Sequence, residues 1–464
     1  MKFPSLSSGQ RLIQLLDQLG WVTDEPGRLT RTFLSPAMRR ANVLVAGWMK
    51  AAGLQVREDS TGNLIGRLEA ANPAVGNDGA KAGRTVKAAA LVAGPVRRGG
   101  AGRSALPKTL LLGSHLDTVR DAGRFDGPLG VLLPIVALGE LCRRGVKLPF
   151  NVEVLGFSEE EGVRFASAYL GSKGYCGKLT LKDLSFRDAD GISVGEAIER
   201  WNGLTPGRSS MRAGVNVLHL KAAHQRSGLL GYVEVHIEQG PVLEAKRLAV
   251  GVVSAIAGQS RFKLTWTGQA GHAGTTPMAL RRDALAGAAE FALAVEKLAR
   301  GQADSTLSQS KGLVATVGSL TVLPGAANVI PGQVVHSLDV RHARDAVRRA
   351  ALYRLGRLAA QIAARRGLKV GWQRTQDNGA IACSPPLTAL LARSVVAVQG
   401  KSLSLVSGAG HDAVVLSALT PVAMLFVRCR DGLSHHPDEY ASPKDLGVAL
   451  EVMIDFLSRL AAEY

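Results

Sequence analysis

Histidines and carboxylates recur along this chain where a hydrolytic metal site would need them. The string Gly113-Ser114-His115-Leu116-Asp117-Thr118 directly follows the apolar run Leu110–Leu112. A histidine at the carboxyl end of a sheet strand stands where open α/β sheets place their ligands. Asp117, two residues on, is expected to accept the second ring N–H of His115 and fix its tautomer. Arg124-Phe125-Asp126-Gly127-Pro128 then sets a carboxylate on a tight turn just before a helix, and Phe157-Ser158-Glu159-Glu160-Glu161-Gly162 puts three acids at the end of another strand. Adjacent carboxylates repel, and a nearby cation would relieve them. Val233-Glu234-Val235-His236-Ile237-Glu238-Gln239-Gly240 carries a histidine in an alternating strand, and Leu433-Ser434-His435-His436-Pro437 supplies two more. Taken singly, a strand histidine is more often a structural residue and an acidic triplet a solvated loop. Together they form a His/Asp/Glu set without thiolate, which suits a pair of borderline or hard divalent ions, Zn2+ or Mn2+. An aspartate bridging two ions about 3.5–4 Å apart would complete a two-metal hydrolytic site.

The elements that must hold these residues follow from the hydrophobic pattern. Leu129–Arg143 reads as a helix and Asn151–Phe157 as an apolar strand, an alternation that predicts an α/β sheet with crossover helices. From about Val252 the texture changes. Strand-like Arg261–Thr267, a glycine-rich turn, a helix near Asp283–Arg300, strands Leu313–Leu320 and Gln333–Arg341 and a basic helix follow in turn. That helix has Val347, Ala351, Leu355, Leu358 and Ile362 as its apolar stripe. This order predicts a compact α+β sandwich inserted into the larger domain. The expected division is therefore 1–250 and 374–464 for the mixed-sheet catalytic domain, with 251–373 inserted. Ala71–Lys108, in which Ala, Gly and Pro fill 20 of 38 positions, reads as a flexible surface insertion with no catalytic task.

Composition excludes several classes. With 464 residues, 46% hydrophobic and 20% charged, the chain is neither disordered nor collagen-like. No apolar run approaches the roughly 20 residues of a membrane span, and Met1–Trp21 lacks the apolar core of a secretory signal. Cys142, Cys176, Cys383 and Cys429 form no CxxC pair, so reduced thiols in a cytoplasmic protein are expected, with Cys142 and Cys429 as small core residues. The net charge of +18 suggests nucleic acid at first, but 71–108 and 341–374 supply +15 of it. Without aromatic platforms or a recognised motif, a solvated helix face accounts for the second segment better than nucleic-acid binding.

Eight motifs in order, GSHLDTV, RFDGPLGV, EEEGVRF, VEVHIEQGPVLE, TGQAGHAGTTPM, NVIPG, SGAGHDA and SHHPDEY, resemble the hydantoinase/carbamoylase branch of the M20 dizinc peptidase superfamily. That branch includes allantoate amidohydrolases, N-carbamoyl-L-amino-acid hydrolases, ureidoglycolate amidohydrolases and β-ureidopropionases. The resemblance spans nearly the whole chain outside 71–108 and 202–228. It implies two divalent ions per subunit, Zn2+ or Mn2+, with Asp126 as the bridge. His115, His236, Glu161 and His435 would each bind one ion, His115 and Glu161 lying on opposite sides. Glu160 would be the general base. His272 would stabilise the oxyanion across a dimer built on the inserted lid domain. Asn328 and Arg341 would hold the substrate carboxylate, with Gln239 and His411 lining the pocket. His411 and His436 stay open as alternative ligands. The strings EGVRFASAYLGS and AMLFVRCR are most similar to allantoate amidohydrolases, which implies ureido hydrolysis of allantoate to ureidoglycine, ammonia and carbon dioxide. An N-carbamoyl-L-amino-acid hydrolase, a dipeptidase of the wider superfamily and a basic binding protein that lost catalysis are the alternatives.

Overall fold

A computed structural model describes residues 7–71, 107–203, 228–301 and 312–464. Its larger unit is a nine-stranded mixed sheet. At the centre Asn151–Phe157, Thr109–His115, Leu229–Ile237 and Val422–Val427 lie side by side and parallel. Gln55–Glu58 and Leu64–Leu68 extend one edge antiparallel, and Val250–Ile256 continues the other, with Ile381–Ala382 and Ser404–Ser407 beside it. The central strands are buried at every position but Leu230, as parallel strands covered on both faces must be. One face packs under the helices Ser8–Gly20, Pro36–Ala51, Pro128–Arg143, Pro385–Gln399 and Pro443–Glu463; the other carries a smaller apolar layer around Tyr175, Tyr232 and Phe426. The helix Pro128–Arg143 is apolar around almost its whole circumference, so it lies inside the fold. There Gly130 packs against the backbone of Val235 with no room for a Cβ.

The smaller unit is a five-stranded antiparallel sheet built on Gly258–Thr267 and Gln333–His342. The helices Ala284–Ala299 and Asp345–Arg366 cover one of its faces through Trp266, Phe291, Leu338 and Leu355. Strand alternation sends Val334, Leu338 and Val340 to this core and leaves Ser337, Asp339 and Arg341 on the opposite face.

Several sequence expectations change here. The run Leu313–Leu320 divides into Val314–Thr316 and Leu320–Leu323, because Gly318 and Ser319 turn their N–H groups onto the Ser337 hydroxyl. Val250–Ile256 belongs to the large sheet, and Lys369–Asn378 pairs with Gly258–Thr267 in the small one. The sheets thus hand over at Ala257 and again at Gly379–Ala380, whereas the change of texture had put the joins at 250/251 and 373/374. Cys142 is exposed, facing outward near the end of its helix, while Cys429 is buried. On the basic helix Leu358 is only half-buried and Arg348 is buried, paired with Asp345 and Asp377. Almost all of the 71–108 segment lies outside the described residues. Among those residues no helix is long and apolar enough to cross a membrane.

Arg31 fixes the loop that follows His115. It is fully buried; its Nε donates to the Leu116 carbonyl at 2.6 Å, and its Nη1 donates to the carbonyls of Leu19 and Val22 at 3.1 and 2.9 Å. Burial pushes the guanidinium down to about 10 against the pull of Asp117 and Asp24. An Arg31→Leu change strands the Leu116 and Val22 carbonyls, each worth roughly 1–3 kcal/mol when left unpaired, while the Leu19 carbonyl keeps the Val22 N–H. A stability loss of at least about 2 kcal/mol in urea unfolding is the expected result.

Candidate metal centre and active site

The centre is assembled at the carboxyl ends of the four parallel strands, where an open α/β sheet presents loops to a ligand. His115 ends one strand, Glu159–Glu161 follow the next, His236 is the penultimate residue of the third, and the loop after the fourth brings His435. Asp126 lies in the loop between His115 and the buried helix and receives them all. His236 Nε2 is 3.0 Å and His115 Nε2 3.7 Å from its Oδ1, while His435 Nε2 is 3.2 Å from its Oδ2. Glu161 stands beside His435 at 3.7 Å. Three overlapping sets of donors result: His115, Asp126 and His236; Asp126, Glu161 and His435; and His115, Glu160 and Glu161.

The tautomers are set by the backbone. His236 Nδ1 meets the Ile237 carbonyl at 2.9 Å, and His115 Nδ1 meets the Asp117 carbonyl at 3.0 Å. Both rings therefore aim an Nε2 lone pair at Asp126. Asp117 acts differently from expectation. Its carboxylate lies 3.3 Å from His115 Nδ1 but spends its oxygens on the N–H groups of Glu160 and Glu161, at 3.0 and 3.2 Å. It thereby orients the acidic loop as much as the ring.

The three consecutive glutamates take separate places. Glu159 turns inward and accepts the N–H groups of Gly162 and Leu170. The Glu160 and Glu161 carboxylates accept no hydrogen bond from the described residues and face the donor cluster. Burial, reinforced by Glu161, drives Glu160 well above the usual carboxylate range, and burial together with Asp126 pushes Glu161 up to about 7. Glu234 and Asp412 are likewise buried and raised. Asp126 alone is held low, because His115, His236 and His435 outweigh its burial. Several buried acids around three imidazoles form an anionic pocket that divalent cations would neutralise. Two free Nε2 atoms on one carboxylate oxygen, with a histidine and a glutamate near the other, fit a bridged pair of ions.

The remaining sequence candidates separate into near and far. Gln239 donates to Asp126 Oδ2 at 2.8 Å and stands 3.4 Å from His435 Nε2. His411 is buried, its ring 4.5 Å from that of His236 and its Nε2 2.7 Å from the Ser407 hydroxyl. Burial and the neighbouring His236 hold it well below its ordinary value, so it is a neutral partner to the site. His436 is exposed and accepts from the Asp438 N–H, turned into its own loop. Arg341 grips Asp339 with two parallel 2.9 Å bonds and donates Nη1 to the Gly408 carbonyl at 2.6 Å, which links the small sheet to the loop carrying His411. His272 and Asn328 are exposed on a separate two-stranded ribbon, and the Asn328 carbonyl accepts the Ala273 N–H. Among the described residues neither bonds to the cluster. A cleft of about 1000 Å³ runs between the open face of the small sheet and the large unit, lined in part by Gln239, Arg261, Lys263, Ser337, Arg341 and Gly408.

The family model Peptidase family M20/M25/M40 matches residues 111–459, which contain every ligand candidate. The chain belongs to the M20 peptidase family. This M20 chain is 39% identical to an allantoate deiminase of Arabidopsis thaliana, over 95% of its own length and 80% of the relative's. It is 37% identical to an N-carbamoyl-L-amino acid amidohydrolase of Geobacillus stearothermophilus, over 98% of both chains. In three dimensions it matches a hydantoinase/carbamoylase family amidase from Burkholderia multivorans, with a TM-score of 0.80 at 32% identity and 98% of both chains covered.

Several site residues of the M20 chain escape a search for ligands. Glu234 shares a strand face with His236 and binds the Ser114 hydroxyl at 2.7 Å and the Ala413 N–H at 3.0 Å, so period-two alternation would have exposed it. Glu439 and Ser434 sit inside the SHHPDEY and LSHHP strings, where the histidines draw the eye. Arg31 has no local signal at all.

Gly127 supplies a direct test. Its φ is +81°, and a Cβ there would meet the His115 ring at 2.4 Å. Gly127→Ala must displace a ligand ring, and calorimetric titration of the metal-stripped protein with Mn2+ or Zn2+ should show affinity at least about tenfold weaker. In the parent protein the same ions should raise the unfolding temperature and a chelator should reverse the rise.

Proposed function

We propose that this chain is a dinuclear, metal-dependent amidohydrolase that cleaves a ureido C–N bond of a small carboxylate, allantoate first among the candidates. The observation that carries the reading is the single buried Asp126 carboxylate, one oxygen beside two Nε2 atoms and the other beside His435, with Glu160 grouped with His115 and Glu161. Zn2+ or Mn2+ held by His115, His236, Asp126, Glu161 and His435 would supply Lewis acidity, polarising a poorly electrophilic urea carbonyl and acidifying water.

The chain's own groups do the rest. Glu160, buried and without a hydrogen-bond donor among the described residues, takes the proton of the attacking water and delivers it to the leaving nitrogen. Its raised affinity for a proton suits a group that must hold one between the two steps. Arg341 presents the Nη1 edge to the cleft, where a substrate carboxylate would replace the neutral Gly408 carbonyl. Asn328 would complete that contact, Gln239 and His411 would line the pocket, and His272 would stabilise the oxyanion. Because His272 and Asn328 lie away from the cluster of their own chain, they are assigned to the site of a second subunit in a homodimer. Met278, Leu280, Leu293 and Leu323 leave exposed apolar side chains on the inserted unit. The allantoate deiminases at 37–39% identity support that substrate. N-carbamoyl-L-amino acids are the second reading, favoured by the end-to-end match to the Geobacillus enzyme.

Ammonia release from allantoate and from a panel of N-carbamoyl-L-amino acids, with metal-stripped protein and Mn2+ or Zn2+ restored, decides between them. Turnover of allantoate alone is expected; turnover of carbamoyl amino acids alone would overturn the substrate and keep the residue roles. Glu160→Gln should cut kcat by about 10²–10⁴ with the ions retained. Mixing His272→Ala subunits with Glu160→Ala subunits should restore part of the activity, and no recovery would reject the shared site.

A further inference from the structure

Glu439 is 2% exposed and lies among the residues of the centre, although it is no ligand. One carboxylate oxygen accepts the N–H groups of Phe125 and Asp126 at 2.9 and 3.0 Å. The other lies 2.9 Å from the Ser434 hydroxyl, which is itself 2.9 Å from Asp126 Oδ2 and accepts from the Gln239 amide at 3.1 Å. Its own N–H donates to the His436 carbonyl at 3.0 Å and closes the turn that directly follows His435. Gly123 leaves it space, since a Cβ at that position would meet the Glu439 side chain at 2.3 Å. The two residues facing each other across this assembly, Gln239 and His435, both hold left-handed backbone, with φ +55° and +57°. Such conformations persist only where the surroundings impose them.

We propose that Glu439, acting through Ser434, is the positioning residue that sets the separation between the Asp126 loop and the His435 loop, and so shapes the ion position shared by Asp126, Glu161 and His435. The role rests on the two-ion reading above. The two loops are more than 300 residues apart in sequence, as the Phe125–Glu439 bond shows. Among the described residues the Glu439 side chain binds the backbone of one loop and the Ser434 hydroxyl of the other. The neighbouring position shares Asp126, but its other two ligands, His115 and His236, are anchored by strand ends and make no bond to Glu439, so it depends on Glu439 less.

The test is ion uptake by metal-stripped protein, followed by calorimetry with Mn2+ and by the electron paramagnetic resonance signature of a coupled Mn2+ pair. Glu439→Gln keeps an acceptor for the two N–H groups and a polar partner for Ser434, and should retain two ions within about threefold of the parent affinity. Glu439→Ala should hold one ion normally, bind the second about 10–100-fold more weakly, and lose the coupled signal. A Glu439→Ala protein that binds two ions as tightly as the parent, with the coupled signal intact, overturns the proposal, as does equal damage from both variants. If Glu439→Ala does not fold, Ser434→Ala decides: weakening of the second ion supports the role, and parent-like uptake rejects it. A parent protein that binds fewer than two ions would defeat the dinuclear reading itself.

Discussion

Everything around the centre answers to one constraint, the concentration of negative charge in a place from which water is largely excluded. Asp126 is buried and ionised, and Asp117, Glu160, Glu234 and Asp412 are buried near it. Uncompensated carboxylates in such surroundings are costly and respond by taking up protons, as the upward displacement of Glu160, Glu161 and Asp412 shows. Three imidazoles cannot balance that many acids.

The protein distinguishes the acids by what it gives them. Glu159, Asp117 and Glu439 are supplied with backbone N–H donors and become struts. Glu234 is given a hydroxyl and an N–H and ties His115's strand to the His411 segment. Among the described residues Glu160 and Glu161 receive no donor, so their oxygens stay open to ions, water and substrate. The same side-chain type thus serves as scaffold or as reagent according to its neighbours, and consecutive residues in one tripeptide fall on both sides of that division.

The parallel core was legible because buried strands read as unbroken apolar runs; Asn151–Phe157 appears in the structure with the ends its pattern suggests. His115, Glu161 and His236 stand at or just past strand ends, a local signal that is weak for each alone; Asp126 and His435 lie in loops and stood out only through the ordered motifs, and the fold brings all five together. The ends of the inserted unit were harder. Val250–Ile256 and Gly258–Thr267 are consecutive strands with similar texture, and only pairing partners reveal that they belong to different sheets. The strand Lys369–Asn378 is polar over much of its length and exposed at many positions, so periodicity marks it weakly. Arg31 and Glu439 were illegible for another reason. Their work is done on backbone groups remote in sequence, and nothing nearby records it. Cys142 misled because its apolar neighbours face the core while it does not.

The handover between the sheets carries a mechanical implication. A single residue, Ala257, separates the large-sheet strand Val250–Ile256 from the small-sheet strand Gly258–Thr267, and its N–H is itself bonded to the Ser407 carbonyl at 2.9 Å. The return path is as short, through Gly379 and Ala380, and it runs alongside, since Gln259 pairs with Asn378 on one side and Ile256 with Ile381 on the other. Two short crossings bound in register behave like the knuckles of a door, allowing swing about one line while resisting twist and separation. A rotation about that line would have to break the Arg341 Nη1 bond to the Gly408 carbonyl, which ties the small unit to the large one across the cleft.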